Sequence, residues 1–181
     1  MYEVELKLRA DHDSLQEQLT EVGAERVDSR RQVDTYYDAP HRSFAETDEA
    51  LHIRREEPAN GDGVTKLTYK GPLVETASKT REEHETAVND DDALQGVLAG
   101  LGFAPAATVE KTRVYYDFEG YTLVLDTVDG LGEFVEIERE VPEAEVAAAR
   151  REAIDRLEQL GLDPDNQIRT SYLGLLLAAD D

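Results

Sequence analysis

The sequence predicts an α+β protein, an eight-stranded antiparallel β-barrel with its helices packed outside. Three observations lead there. Strand-like and helix-like segments follow one another as β-α-β-β-β-β-α-β-β-β-α-α, mostly joined by hairpin-length turns. No internal repeat or linker interrupts residues 1–181, which read as one domain. Finally, the strands alternate apolar with charged residues, so two faces with different destinations are built into each.

The first strand, Met1 to Arg9, sets Glu3, Glu5, Lys7 and Arg9 against Val4, Leu6 and Leu8. Asp11-His12-Asp13-Ser14 then offers caps for a helix carrying Leu15, Leu19 and Val22 and ending at Gly23. Ala24 to Tyr37 is the second strand, broken by Asp38-Ala39-Pro40, after which a short irregular or single-turn segment runs to Asp48. Ala50 to Glu56 is the third. Pro58 to Gly63 has hairpin composition, and Val64 to Lys70 returns as the fourth strand, stopping at Gly71-Pro72. Glu75 to Ser78 reads as a flexible loop before the fifth strand, Lys79 to Val88. Asn89 to Asp92 caps a second helix through Leu101. Val109 to Phe118 and Tyr121 to Val128 form a hairpin around Glu119-Gly120, and Glu133 to Val141 completes the strands. A long helix from Pro142 to Leu160 and an apolar one from Ser171 to Ala178 close the chain.

Composition narrows the function. A net charge of −22 argues against nucleic acid or an anionic membrane as partner. With apolar periodicity running through the chain, that charge suits a folded halophilic protein whose repulsion is screened by salt. There is no apolar run of bilayer length and no charged-then-apolar leader, so a soluble, cytoplasmic protein is expected. Absence of cysteine removes disulfides, thiolate metal sites and thiol nucleophiles.

The charged faces carry the functional signal. Glu3-x-Glu5-x-Lys7 is echoed by His52-x-Arg54, Lys66-x-x-x-Lys70, Arg81-x-Glu83-x-Glu85, Lys111-x-Arg113 and Glu136-x-Glu138. One such motif is ordinarily a solvated strand face. Several together, holding Lys7, Lys66, Lys70 and Lys111 in a chain whose only other lysine is Lys79, describe an inward lining of both signs. Such a lining is costly unless an ion-rich ligand fills it, and a metal-bound polyphosphate fits. Glu3, Glu5, Asp126, Glu136 and Glu138 offer hard oxygen ligands for Mg2+ or Mn2+. Lys7, Arg54, Lys66, Lys70, Arg81, Lys111 and Arg113 would neutralise phosphates. The histidines and the pairs Tyr36-Tyr37 and Tyr115-Tyr116 read as ordinary residues, with His12 and His41 on the surface and the tyrosines in the core.

The ordered series resembles the CYTH, or triphosphate tunnel metalloenzyme, superfamily. It comprises Glu3-x-Glu5-x-Lys7, Asp34 to Pro40, Thr47 to Arg54, Leu67 to Pro72, Arg81-x-Glu83-x-Glu85, Lys111-x-Arg113-x-x-Tyr116, Leu125 to Glu138 and Ser171-Tyr172. The branch it looks most like is class IV adenylate cyclase, the CyaB-like proteins. The resemblance implies a tunnel, a divalent metal held by the five carboxylates, a triphosphate gripped by the cations, and a homodimer. It casts Lys7, Lys70, Lys111 and Arg113 as catalytic, His52 as a further substrate contact and Glu83 and Glu85 as supporting. His52 stands where the family has arginine, and Gly174 where an acidic residue often follows Ser-Tyr. Three activities fit one tunnel: cyclisation of ATP to cyclic AMP and pyrophosphate, hydrolysis of a triphosphate (tripolyphosphate, thiamine triphosphate or a nucleotide), or polyphosphate binding without catalysis.

Overall fold

Eight strands close on themselves in the order β1-β5-β4-β3-β2-β6-β7-β8, every neighbouring pair antiparallel. The structure is a computed structural model and describes residues 1–179. The strands are β1 Tyr2–Arg9, β2 Glu25–Asp38, β3 Ala50–Pro58, β4 Val64–Leu73, β5 Lys79–Val88, β6 Ala104–Phe118, β7 Tyr121–Val128 and β8 Gly132–Val141. The helices are α1 His12–Glu21, α2 Phe44–Thr47, α3 Asp91–Gly100, α4 Val146–Gln159 and α5 Tyr172–Ala179.

Local chemistry accounts for most boundaries. Asp11 caps α1 by accepting from the Ser14 amide, and Asp90 caps α3 by accepting from Ala93. Glu119 (φ 50°) and Gly120 (φ 84°) put two consecutive positive φ angles between β6 and β7, the combination that matches the twist of paired strands. Four expectations need correction. β4 continues past Gly71-Pro72 to Leu73, because a register shift between Lys70 and Leu73 accommodates the proline. β6 starts at Ala104 rather than Val109, since β2 is long enough to pair with it as far as Asp38. The helix expected from Pro142 begins as a 3-10 turn, Glu143–Glu145. Glu75 to Ser78 is not a free loop: Arg150 pairs with Glu75, Arg169 donates to the Glu75 carbonyl, and Gln167 to that of Ala77.

The apolar strand faces point outward and the helices cover them. Leu6 and Leu8 pack with Leu15 and Leu19 of α1, Ala153 and Leu157 of α4, and Leu123, Leu125 and Ile137. Each such leucine is buried, worth about 1.5–3 kcal/mol relative to exposure. α3 covers β2 and β3 with Leu98 against Tyr37 and Ile53. The charged faces are thereby left for the lumen, the reverse of a small barrel with an apolar interior.

Two features shape the ends. β1 pairs with β5 only from Tyr2 to Glu5, and further on the C-terminal segment takes over, the Ile168 amide donating to the Lys7 carbonyl at 2.6 Å. α5 then places Tyr172 among Val109, Val128 and Phe134, closing one side of that end. At Gly174 a Cβ would lie 2.7 Å from Thr170 Cγ2 and 3.3 Å from Ser171 Oγ, so a side chain there requires Thr170 to turn aside.

Candidate functional site

The barrel encloses a cavity of about 990 Å³ whose lining brings together charged side chains from all of the alternating motifs, beside neutral and apolar residues. Glu3 and Glu5 of β1 and Glu136 and Glu138 of β8 form an acidic wall, since β1 and β8 are neighbours with Glu5 opposite Glu138. Arg54, Lys66 and Lys70 come from β3 and β4, and Lys111 and Arg113 from β6, on the remaining wall. His52, Arg81, Glu83 and Glu85 also line the cavity. Lys7 and Asp126 do not; both are fully buried behind Tyr172.

Glu3, Glu5 and Glu138 each present an oxygen within 4.8 Å of the others. Crowding and burial set them against one another. Burial would raise Glu3, but Lys70, with Nζ 3.2 Å away, holds it well below the ordinary carboxylate range. Burial together with Glu3 pushes Glu138 well above that range, and burial with Glu136 raises Glu5. Three converging carboxylates that must share protons when alone are the hard-oxygen donor set a divalent cation relieves. Magnesium or manganese fits these residues.

The other two expected ligands are engaged elsewhere. Asp126 takes a bidentate pair from Arg113, both bonds 2.7 Å, and accepts from the Tyr172 hydroxyl at 2.7 Å. Glu136 accepts from the same guanidinium at 3.1 Å. Burial opposes the charge on Glu136, yet Arg113 keeps it well below the ordinary range. As they stand, Asp126 and Glu136 orient Arg113.

The cations are similarly held. Arg54 makes a bidentate pair with Asp34, at 2.7 and 2.8 Å. Lys70 lies between Glu3 and Glu83, 3.2 Å from each, and burial plus the opposing pulls of Lys70 and Glu3 leave Glu83 pushed up to about 8. Lys66 contacts Glu56 at 2.7 Å. Lys111 is the loosest, 3.8 Å from Asp34, and burial followed by Arg113 lowers it to about 8. Lys7 donates to the Thr170 carbonyl and sits 4.3 Å above the Tyr172 ring; burial and Lys79 lower it to about 7. Arg81 is spent on structure, bonding the carbonyls of Asp48 and Gly71 and the Asp48 carboxylate.

His52 differs from all of these. Its ring is 1 % exposed, 5.1 Å from the Tyr36 ring, and neither nitrogen has a hydrogen-bond partner among the described residues. Burial, then the nearby cations Arg54, Lys70 and Lys111, drop it to about 3 despite Asp34, so it is neutral. Leaving such a group unsatisfied costs about 1–3 kcal/mol.

Several lining residues escaped the sequence reading. Lys79, 3.3 Å from Glu5, continues the alternation of Arg81-x-Glu83-x-Glu85 by one step and was findable on that ground. Arg30, Gln32 and Tyr36 line the cavity from β2, with Asp34 on the same face fully buried against Arg54, but the run mixes charges with neutral groups and so gives a weaker signal. Tyr36 and Tyr115, which the sequence had placed in the core, line the cavity; Tyr37 packs in the core against Ile53 and Leu98 but also borders the cavity, and Tyr116 is core alone. His12, expected on the surface, is part-buried, its Nε2 2.9 Å from the Phe134 carbonyl oxygen.

Comparison with known proteins places this geometry. A protein of Pyrococcus horikoshii superposes with a TM-score of 0.90 at 41% identity, covering 98% of this chain and 99% of that one. A candidate adenylate cyclase of Methanocaldococcus jannaschii is 37% identical over 97% of this chain and 98% of its own length. A candidate adenylate cyclase of Vibrio parahaemolyticus shares the fold, with a TM-score of 0.85 at 24% identity and 98% of each chain covered. The family model described as the CYTH domain matches residues 1–172, and the chain belongs to that family.

Proposed function

We propose that the tunnel is a metal-dependent triphosphate site and that the protein is a class IV adenylate cyclase, converting ATP to cyclic AMP and pyrophosphate. The observation that carries the reading is the facing of Glu3, Glu5 and Glu138 by a cluster of lysines and arginines across one enclosed cavity. CYTH enzymes act on triphosphates, and the Methanocaldococcus relative and an Aeromonas hydrophila protein, 26% identical over 75% of this chain, bear adenylate cyclase names.

In this reading Glu3, Glu5 and Glu138 hold Mg2+ or Mn2+, with Glu136 and Asp126 behind them keeping Arg113 in place. When bound, the ion supplies positive charge to the phosphates. Arg54, Lys66, Lys70, Lys111 and Arg113 face the phosphate chain and offset the charge that develops on departing pyrophosphate as the ribose 3′-oxygen attacks the α-phosphorus. Bidentate anchoring of Arg54 by Asp34 and of Arg113 by Asp126 fixes both forks before substrate arrives. Lys7 and Arg81 support the walls, Lys7 by packing under Tyr172 and Arg81 by tying β5 to Asp48. Glu83 and Glu85 position Lys70 and Lys66. We further propose a cytoplasmic protein from a high-salt cell, acting as a homodimer and as one unit over residues 1–181. Among the described residues no helix is long and apolar enough to cross a membrane.

Hydrolysis of tripolyphosphate, thiamine triphosphate or a nucleotide is the second reading. It is favoured by the Hippeastrum protein of the same fold, 20% identical with a TM-score of 0.68, an adenylyl cyclase candidate with a dominant triphosphatase activity. Polyphosphate binding without turnover is the third. Incubation in molar KCl with Mg2+ or Mn2+, offering ATP and tripolyphosphate separately, decides among them. Cyclic AMP with equimolar pyrophosphate is expected; phosphate alone moves the protein to the triphosphatases, and tight binding without product moves it to the binding reading.

A further inference from the structure

The basic residues of the cavity fall into two groups according to the carboxylate each one holds. Arg54 is tied to Asp34, Arg113 to Asp126 and Glu136, and Lys66 to Glu56. Those carboxylates lie outside the trio of Glu3, Glu5 and Glu138, so these cations keep their anchors whatever the trio binds. Lys70 and Lys79 are different. Their Nζ atoms lie 3.2 Å from Glu3 and 3.3 Å from Glu5, two members of the trio. The carboxylates best placed to hold a divalent cation are therefore the ones already neutralising two lysines.

The two lysines differ in what each would keep. Lys70 has a second partner in Glu83, also 3.2 Å away. Among the described residues, Glu5 is the only carboxylate paired with Lys79, whose side chain is 10% exposed. The backbone holds Lys79 in place. It sits directly opposite Glu5 in the β1–β5 pairing, the Thr80 carbonyl beside it accepts from the Val74 amide, and the Ser78 carbonyl accepts from Arg169. Once Glu5 commits its charge to a divalent cation, Lys79 loses its anion and gains a repelling neighbour. A nearly buried ammonium in that position is costly until another anion reaches it. Its side chain lines the cavity, so that anion comes from a ligand there.

We infer that Lys79 is a phosphate-binding residue held in reserve: it rests on Glu5 in the metal-free protein and turns to a phosphate oxygen when Glu5 holds a divalent cation. The inference rests on the metal-dependent triphosphate reading and deepens it, by naming the residue that couples the two ligands. Metal and triphosphate then strengthen each other through the protein as well as by direct contact, since each takes one half of the Glu5–Lys79 pair. Lys111 marks the contrast. It is loosely held by Asp34 at 3.8 Å and belongs to no pair that a metal on the trio would break.

The test is calorimetric titration of the full chain in molar KCl with two probes, Mn2+ alone and tripolyphosphate at saturating Mn2+. Lys79→Met keeps the length of the side chain and removes its charge. It should bind Mn2+ alone at least as tightly as wild type, because Glu5 has lost a competitor. It should bind tripolyphosphate about tenfold more weakly, the loss of one charge-assisted contact. Lys79→Arg, which keeps the charge, should restore most of that affinity. The opposite signs of the two effects separate this role from a merely structural one, which would weaken both probes together. Should Lys79→Met fail to fold by circular dichroism, Lys79→Gln, still able to donate to Glu5, carries the same two titrations. Unchanged tripolyphosphate affinity in the folded variant would overturn the inference and leave the triphosphate site standing, as would a parallel loss of Mn2+ binding. Failure of wild type to bind tripolyphosphate with Mn2+ present would instead remove the reading on which the inference rests.

Discussion

Glu3 and Glu83 share a side chain and a neighbour, Lys70, yet their protons behave oppositely. Glu3 is held ionised while Glu83 is pushed up to about 8, because burial leaves only one of the pair able to use the ammonium fully. The sign follows for stability. An unfolded glutamate titrates near 4.3, so the folded metal-free protein retains a proton on Glu83 between about 4.3 and 8, and this group lowers stability as pH rises through that window. Glu83→Gln imitates the protonated form. It should melt like wild type below about pH 4 and at a higher temperature near pH 9, as read by circular dichroism without metal; a difference independent of pH would contradict the assignment. At this scale Glu3, Glu5 and Glu138 were legible in the sequence, because a strand's period fixes which residues share a face. That Asp126 and Glu136 serve Arg113 was not, since the pairing depends on the distance between β6, β7 and β8.

Among the elements, α5 most clearly joins sequence to site. Its composition announced an apolar helix, but not that Tyr172 would enter the barrel and bond Asp126. A contact spanning that much chain has no local signature. Tyr172→Phe keeps the ring over Lys7 and Lys111 and removes one bond to a buried carboxylate. It should cost roughly 1–3 kcal/mol in urea unfolding, and no loss would mean the hydroxyl is otherwise satisfied. Gly174→Asp brings a Cβ to 2.7 Å from Thr170 Cγ2, so Thr170 must turn aside; the start of α5 should loosen and proteolysis near the C-terminus accelerate. An unchanged digestion pattern would contradict the crowding. The segment 75–78 teaches the same lesson in reverse. Polar composition suggested mobility, whereas Arg150, Gln167 and Arg169 hold it, and those partners lie far along the chain. Strand order, hairpins and caps were legible because turn chemistry and periodicity are local; bulges and long-range straps were not.

For the whole molecule, charge sets the conditions. A net charge of −22 on 181 residues repels itself, and screening reaches about 10 Å at 0.1 M salt but about 3 Å at 1 M. The melting temperature should therefore climb as KCl rises from about 0.1 to 1 M; a flat profile would contradict the halophilic reading. The enclosed pairs of the lumen are screened far less, so ligand binding should persist in molar salt. That makes the central claim measurable under stabilising conditions. Titration of ATP and of tripolyphosphate into wild type and Glu138→Gln, each with Mn2+ and with EDTA, tests it most directly. Metal-dependent binding to wild type, lost with EDTA and sharply weakened in Glu138→Gln while the fold stays intact, is the predicted result. Equal binding in EDTA, or by Glu138→Gln with Mn2+, would contradict a metal-assisted triphosphate site built on Glu3, Glu5 and Glu138.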